Sequence, residues 1–369
     1  MAPYLATEGA RHGGGPAGVP GKIPPRLMTR RGLGGLAFCL CMPPAHAAAS
    51  LATAWERFRD RFLTADGRVV DTGNGGISHS EGQGWTMLFA ASVGDRAAFH
   101  LVYDWTRRIL ARPSDALFSW RYSPNHRPPV DDPNNATDGD LYIAWALARA
   151  GQRWGDSALT AAAAAIGRDL LRLLTREIGG RLVLLPGAAG FEDERRIVLN
   201  PSYFVFPAFT ALDRAAPDPR WRRLHKDGLI LLRQARFGKW GLPPDWLAIH
   251  RADGRLAPAE GWPSRFSFDA VRVPLLLAWA GHGTEPAVLG ALRFWKDPAH
   301  PVPPAWTDLR TDGLAEYPAS GGVRAIADFI ADVVAARTGT NLPALTPEDD
   351  YYSAALKLLT AAARTEMNW

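Results

Sequence analysis

Cysteine is nearly missing from this 369-residue chain: there are two, Cys39 and Cys41, both within the first 47 residues. From position 48 onward, disulfides, cysteine–zinc sites and cysteine nucleophiles are therefore excluded. No apolar run approaches the roughly 18 residues of a membrane-spanning helix, so stable membrane insertion is not expected. An excess of one charge sign is also lacking. The net charge is +5, but Arg11, Lys22, Arg26, Arg30 and Arg31 against Glu8 put +4 of it in residues 1–47, which leaves +1 for the rest. A near-neutral body without a Lys/Arg run gives no electrostatic reason to bind nucleic acid. Several chemical signatures are missing as well. There is no G-x-x-x-x-G-K-[ST] and no H-E-x-x-H, and Gly76-Ile77-Ser78-His79-Ser80 lacks the final glycine of a nucleophile elbow. No cofactor and no metal are expected.

What is present starts with an address. Residues 1–27 are rich in Gly, Pro and Ala and read as an extension, or as a start taken too early, with Met28 the true one. From Met28 a basic stretch (Arg30, Arg31), an apolar stretch (32–42) and Ala45-His46-Ala47 have the layout of a signal peptide with its cleavage site. Thr29-Arg30-Arg31-Gly32-Leu33 also resembles a twin-arginine export signal. The expected organisation is an extension plus cleaved signal over 1–47 (signal about 28–47) and one catalytic domain over 48–369, exported to the periplasm or secreted.

Helical periodicity dominates the body and predicts about eleven or twelve helices, among them 202–215, 268–280 and 347–365. No strand–helix alternation appears; the runs 181–185 and 197–199 read as local hairpins. The helix-pair rhythm suggests an all-α toroid of helical hairpins. Long polar connections at 71–80, 113–136, 187–200, 239–266 and 298–317 are of the kind that carries function.

Carboxylates gather at three loop-to-helix junctions. In Ser78-His79-Ser80-Glu81-Gly82-Gln83-Gly84, Ser80 and Gln83 fit a capping box, with Glu81 in a favoured acidic first-turn position. Capping leaves Gly82 and Gly84 unexplained, since each costs about 1 kcal/mol in a helix, and suggests close approach of backbone or ligand. In Asn134-Asn135-Ala136-Thr137-Asp138-Gly139-Asp140, Thr137 is placed to cap the helix. An EF-hand calcium loop fails there, because Ala136 falls on a ligand position and no closing Glu follows. In Phe266-Ser267-Phe268-Asp269-Ala270-Val271-Arg272, Arg272 can reach Asp269 one turn away. Acid–base carboxylates beside aromatic residues suit glycosidic bonds: one carboxyl protonates the leaving oxygen and the other activates water. The chain has 14 Trp, and Trp120, Trp240, Trp246 and Trp262 are loop candidates for holding sugar faces.

Four blocks, in order, resemble glycoside hydrolase family 8: 80–84, 136–154, Asn200-Pro201-Ser202-Tyr203 and 268–274. The small size and export signal are most similar to the periplasmic endoglucanases of bacterial cellulose-synthesis systems. The resemblance implies an (α/α)6 barrel, an inverting mechanism and a β-1,4-glucan chain as partner. It implies Glu81 as general acid, Asp269 as general base, and Asp138 as the aspartate contacting the distorted sugar. Trp120, Tyr203 and Arg272 fall at sugar-stacking, water-positioning and base-orienting positions. A monomer is expected, with the cellulose synthase/export complex as a further partner. Another β-glycan (xylan, mixed-linkage glucan, chitosan) and a glucan-binding accessory role are the alternatives. Two departures stand out: Trp85-Thr86, where an aromatic followed by Gly is expected and a subsite would change, and Phe268 in place of Tyr. An inverting route requires the Glu81 and Asp269 carboxyls ~6.5–9.5 Å apart. The expected electrostatics have the Asp138 anion keeping Glu81 protonated while Asp269, beside Arg272, stays ionised.

Overall fold

The computed structural model describes residues 50–338 and 342–367. The export signal and both cysteines lie outside the described residues.

Eleven helices are found among them: α1 (Leu51–Phe62), α2 (Ser80–Val93), α3 (Arg96–Leu110), α4 (Thr137–Trp154), α5 (Ser157–Leu173), α6 (Phe206–Ala215), α7 (Pro219–Gln234), α8 (Arg272–Trp279), α9 (Pro286–Trp295), α10 (Gly321–Val334) and α11 (Tyr351–Met367). None is long and apolar enough to cross a membrane. Two kinds of helix alternate. In α1 the buried residues are Leu51, Ala54, Trp55, Phe58 and Phe62, one apolar stripe at helical spacing. In α8 every residue from Arg272 to Trp279 is buried. A helix apolar all round must be enclosed by others.

The enclosed helices form a closed ring. α2 packs on α4, α4 on α6, α6 on α8, α8 on α10, α10 on α11, and α11 back on α2. Helices α1, α3, α5, α7 and α9 pack against this ring from outside. The result is an (α/α)6 barrel in which the segment between α10 and α11 runs without a helix among its described residues. The inner helices start on the same rim. Ser202 just before α6 meets Arg272 at the start of α8 (2.9 Å), and Gly322 N–H of α10 donates to Ser353 Oγ of α11 (2.8 Å).

The five long connections foreseen in the sequence all lead into inner helices and so gather on this rim. They carry strands that the periodicity missed. Strand Arg196–Leu199 pairs with Leu247–His250, which pairs with Leu256–Pro258, so 197–199 belongs to a non-local sheet and not to a local hairpin. The other expected hairpin, Thr175–Ile178 with Arg181–Leu184, is local.

Candidate active site

Glu81 lies in the first turn of α2, Asp138 in the first turn of α4, and Arg272 begins α8. The expected 268–280 helix starts later than its periodicity suggests, so Asp269 sits in the turn just ahead of α8. The Arg272 guanidinium joins the three carboxyls. Arg272 Nη1 contacts Glu81 Oε1 and lies 3.5 Å from Asp138 Oδ2, while Nη2 lies 2.7 Å from Asp269 Oδ1. Nη2 also donates to Ser202 Oγ (2.9 Å), whose hydroxyl donates to Asn200 Oδ1 (2.7 Å). The Arg272 side chain is 4% exposed and rests over the Trp85 ring at 5.6 Å. Glu81 and Asp269 remain open, with side chains 21% and 29% exposed.

The helix starts are held together differently from the capping expectations. Neither Ser80 nor Thr137 is an N-cap; His79 and Ala136 hold those positions without a side-chain bond. Gln83 turns inward instead. Its Oε1 accepts from Val69 N–H (2.7 Å) and its Nε2 donates to Gly67 O (3.1 Å) and Thr106 Oγ1 (3.0 Å). Thr137 donates to Leu185 O (2.6 Å). Tertiary partners took these two side chains, and beside Ser80 the starts of α2 and α4 approach closely. A Cβ on Gly139 would stand 2.1 Å from Ser80 Oγ and 2.8 Å from Glu81 N, and one on Gly82 would meet Tyr351 OH at 2.2 Å. The glycines are there for close approach within the protein.

Charge at the site is unbalanced. Burial pushes Asp138 up to about 7, opposed by hydrogen bonds from Gly139 N–H and Tyr203. Burial and the neighbouring Asp245 and Asp138 carboxylates push Asp269 well above the usual range, opposed by Asn200. Asp269 is therefore not held low by Arg272 as expected, nor is Asp138 a firm anion at neutral pH. The physical reason is first withdrawal from water, and for Asp269 also the Asp245 and Asp138 carboxyls beside it, so that these groups titrate as a set. Asp140, two residues after Asp138, serves the scaffold. It accepts from Phe118 N–H (2.9 Å) and Asn135 Nδ2 (2.8 Å).

Trp120 is at the same rim: its carbonyl accepts from Ser80 N–H (3.0 Å), its ring stacks on His79, and its Nε1 donates to Asp132 (3.0 Å). Beside Tyr203 runs an aromatic row. Tyr203 lies 6.4 Å from Trp246, which stacks on Phe191 (5.7 Å) and on Trp262 (5.3 Å). Trp240 does not join it; it is 5% exposed and packed on Phe294. Trp85 and Thr86 are fully buried, and Thr86 Oγ1 donates to Gly82 O (2.8 Å), so this departure lies in the floor beneath the site. Phe268 is 43% exposed beside Tyr352, whose hydroxyl donates to its carbonyl.

Asn200, Ser202, Asp245 and Tyr352 also surround these carboxyls, and the sequence pattern does not single them out, although Asn200 and Ser202 lie in the Asn200-Pro201-Ser202-Tyr203 block. Among the described residues no group of three or more His, Asp or Glu is arranged to hold a metal ion. A concavity of about 550 Å³ between α6, α7 and the turn after α8, lined by Trp221, His225 and His282, contains none of these carboxylates.

Residues 35–366 match the sequence profile of glycosyl hydrolases family 8. The chain is 48% identical over 321 residues to a Novacetimonas hansenii protein named "Probable endoglucanase", covering 87% of this chain and 92% of that one. It is 44% identical over 279 residues to the endoglucanase of Cellulomonas uda, covering 75% and 77%. The solved structure of an endo-β-1,4-glucanase from Acetobacter xylinum matches with a TM-score of 0.79 at 45% identity, covering 87% of this chain and 99% of that one.

Proposed function

The chain belongs to glycoside hydrolase family 8 and is an endoglucanase of that family, and we propose that it cuts β-1,4-glucan with inversion using Glu81 and Asp269. The observation that carries this reading is the shared guanidinium: Arg272 touches Glu81 with one terminal nitrogen and Asp269 with the other. Two carboxyls on one rim, both partly exposed, can flank a single glycosidic bond. Glu81 donates a proton to the leaving oxygen, and Asp269 takes one from the attacking water.

Arg272 favours the anion of Glu81, so the acid must part from it to act. A sugar ring entering over Asp138 separates the two, and loss of the cation raises the Glu81 pKa. Asp138, with Tyr203 bonded to it, holds the ring at the cleavage point. Proton sharing within the cluster supplies the rest: one guanidinium cannot keep all these carboxyls ionised, so a proton stays in the cluster at neutral pH for Glu81 to donate. Trp120 on one side and the Phe191–Trp246–Trp262 row on the other offer flat apolar faces to the chain.

The exported location and a place beside the cellulose synthase/export complex belong to this proposal. Their support is the signal-like sequence over 28–47 and the resemblance to endoglucanases of cellulose-synthesis systems. The test of the mechanism is stereochemical. Proton NMR during cleavage of cellopentaose should show the α-anomer at the new reducing end first; the β-anomer would rule out inversion.

A further inference from the structure

Asp245 is buried, 24 residues before Asp269 in the chain. It lies in the connection that leads into α8. Its own N–H donates to Arg265 O (2.8 Å). Its Oδ1 accepts from Ser267 N–H (3.0 Å) and from Ala270 N–H (2.8 Å), and its Oδ2 accepts from Ser267 Oγ. These three donors bracket Asp269 on both sides. Without them the 267–270 turn has free N–H groups, and a helix could start earlier, as the periodicity of 268–280 predicts.

We propose that Asp245 is a positioning residue for the cleavage reaction: it clamps the 267–270 turn, fixes where the Asp269 carboxylate stands, and sets the charge behind it. This rests on the reading of Asp269 as the base. Burial raises the Asp245 carboxyl, and two backbone N–H groups and the Ser267 hydroxyl oppose this by favouring its anion. No cation is bonded to Asp245 among the described residues, so in its ionised form its charge acts on Asp269 without local neutralisation. The groups facing Asp269 are Arg272 at the start of its own helix, Asp138 from α4, Glu81 from α2 through Arg272, and Asp245 from behind. Of the acids, Asp245 is the one that touches neither Arg272 nor, on this reading, the sugar. A base kept at a raised pKa is a stronger proton acceptor, and this is how a group placed behind it influences the rate.

Asp245→Asn isolates the charge. The amide oxygen can still accept both backbone N–H bonds, and the amide nitrogen can face Ser267 Oγ, so the turn is kept while the anion is lost. On carboxymethylcellulose the expected result is KM within about twofold of the parent and kcat lower by about tenfold or more. The acidic limb of the kcat/KM profile should move to lower pH, because removing a neighbouring negative charge lowers the pKa of the base. A folded variant with parental kcat and an unmoved limb overturns the proposal, and so does a uniform loss at every pH. If Asp245→Asn does not fold, Ser267→Ala removes one clamp contact and keeps the charge; kcat lower at unchanged KM supports the clamp, and unchanged kcat overturns it. Asp269→Asn separates the two levels. If it retains cleavage, the base assignment itself falls; if it is inactive while Asp245→Asn behaves as the parent, only the role of Asp245 falls.

Discussion

The two rims of the barrel are built from the same helices and differ in nearly everything else. On the rim where inner helices begin, connections are long, carry strands, and bring Glu81, Asp138, Asp269 and Arg272 together. On the opposite rim, the α2–α3, α4–α5 and α6–α7 connections are tight turns. The α2–α3 and α4–α5 turns pass through Gly94 (φ 89°) and Gly155 (φ 64°), both left-handed C-caps. Both of these turns are followed by an Asp that caps the next helix: Asp95 accepts from Ala98 N–H, and Asp156 from Ala158 and Leu159 N–H. Helix polarity gives a reason for the division. Inner-helix N-termini present free N–H groups and a positive dipole end, which suit a cluster of carboxylates; the C-termini do not. One rim spends stability on buried like charge, and the other supplies ordinary capping.

Substitutions on each rim break or sharpen this contrast. Glu81→Gln should have the largest effect, lowering kcat by about a thousandfold or more while leaving cello-oligosaccharide binding in place. Reducing-end release and calorimetric titration measure the two halves, and parental turnover would remove the acid assignment. Gly139→Ala comes next. Its Cβ has no room between Ser80 and Glu81 N, so the start of α2 must shift. A stability loss of about 1–3 kcal/mol is expected together with a drop in kcat that exceeds any change in KM. Thermal melting and steady-state kinetics check this pair.

Asp138→Asn tests the charge cost. The folded pKa of Asp138 is raised to about 7, so the folded chain keeps a proton that the unfolded chain releases near pH 4. The sign follows: this residue's contribution to stability is full below about pH 4 and is lost as pH rises toward 7. The variant should therefore melt higher than the parent at pH 8, with the gap closing toward pH 4.5, even though it cleaves poorly. An equal gap at both values would contradict the shift. Gly155→Ala should have the smallest effect. Nothing lies within 4 Å of the added Cβ, so only the left-handed backbone is penalised, by about 1–2 kcal/mol. The melting temperature should fall a few degrees with kcat unchanged; a changed kcat would show that the rims are coupled.

The sequence alone settled the helices, because an apolar stripe at period 3.6 is local information, as in α1. It also placed the long connections and the three carboxylates at helix starts, because loop composition and first-turn acids are local as well. It misplaced Ser80, Thr137 and Gln83. A capping motif is written in adjacent residues, but its use depends on what packs beside it: Gln83 bonds to Val69, Gly67 and Thr106, Thr137 bonds to Leu185, and Ser80 lies against Gly139 of α4. Asp245 and Ser202 were invisible for the same reason, since their partners lie 22–25 and 70 residues away in the chain. The ionisation of Asp269 was decided only in three dimensions. Sequence spacing revealed its nearest cation, Arg272, whereas the burial that raises Asp269 and the Asp245 and Asp138 carboxyls that add to it exist only in the fold. Local patterns fix which way a helix faces; the summed field at a point depends on every charge the fold brings there.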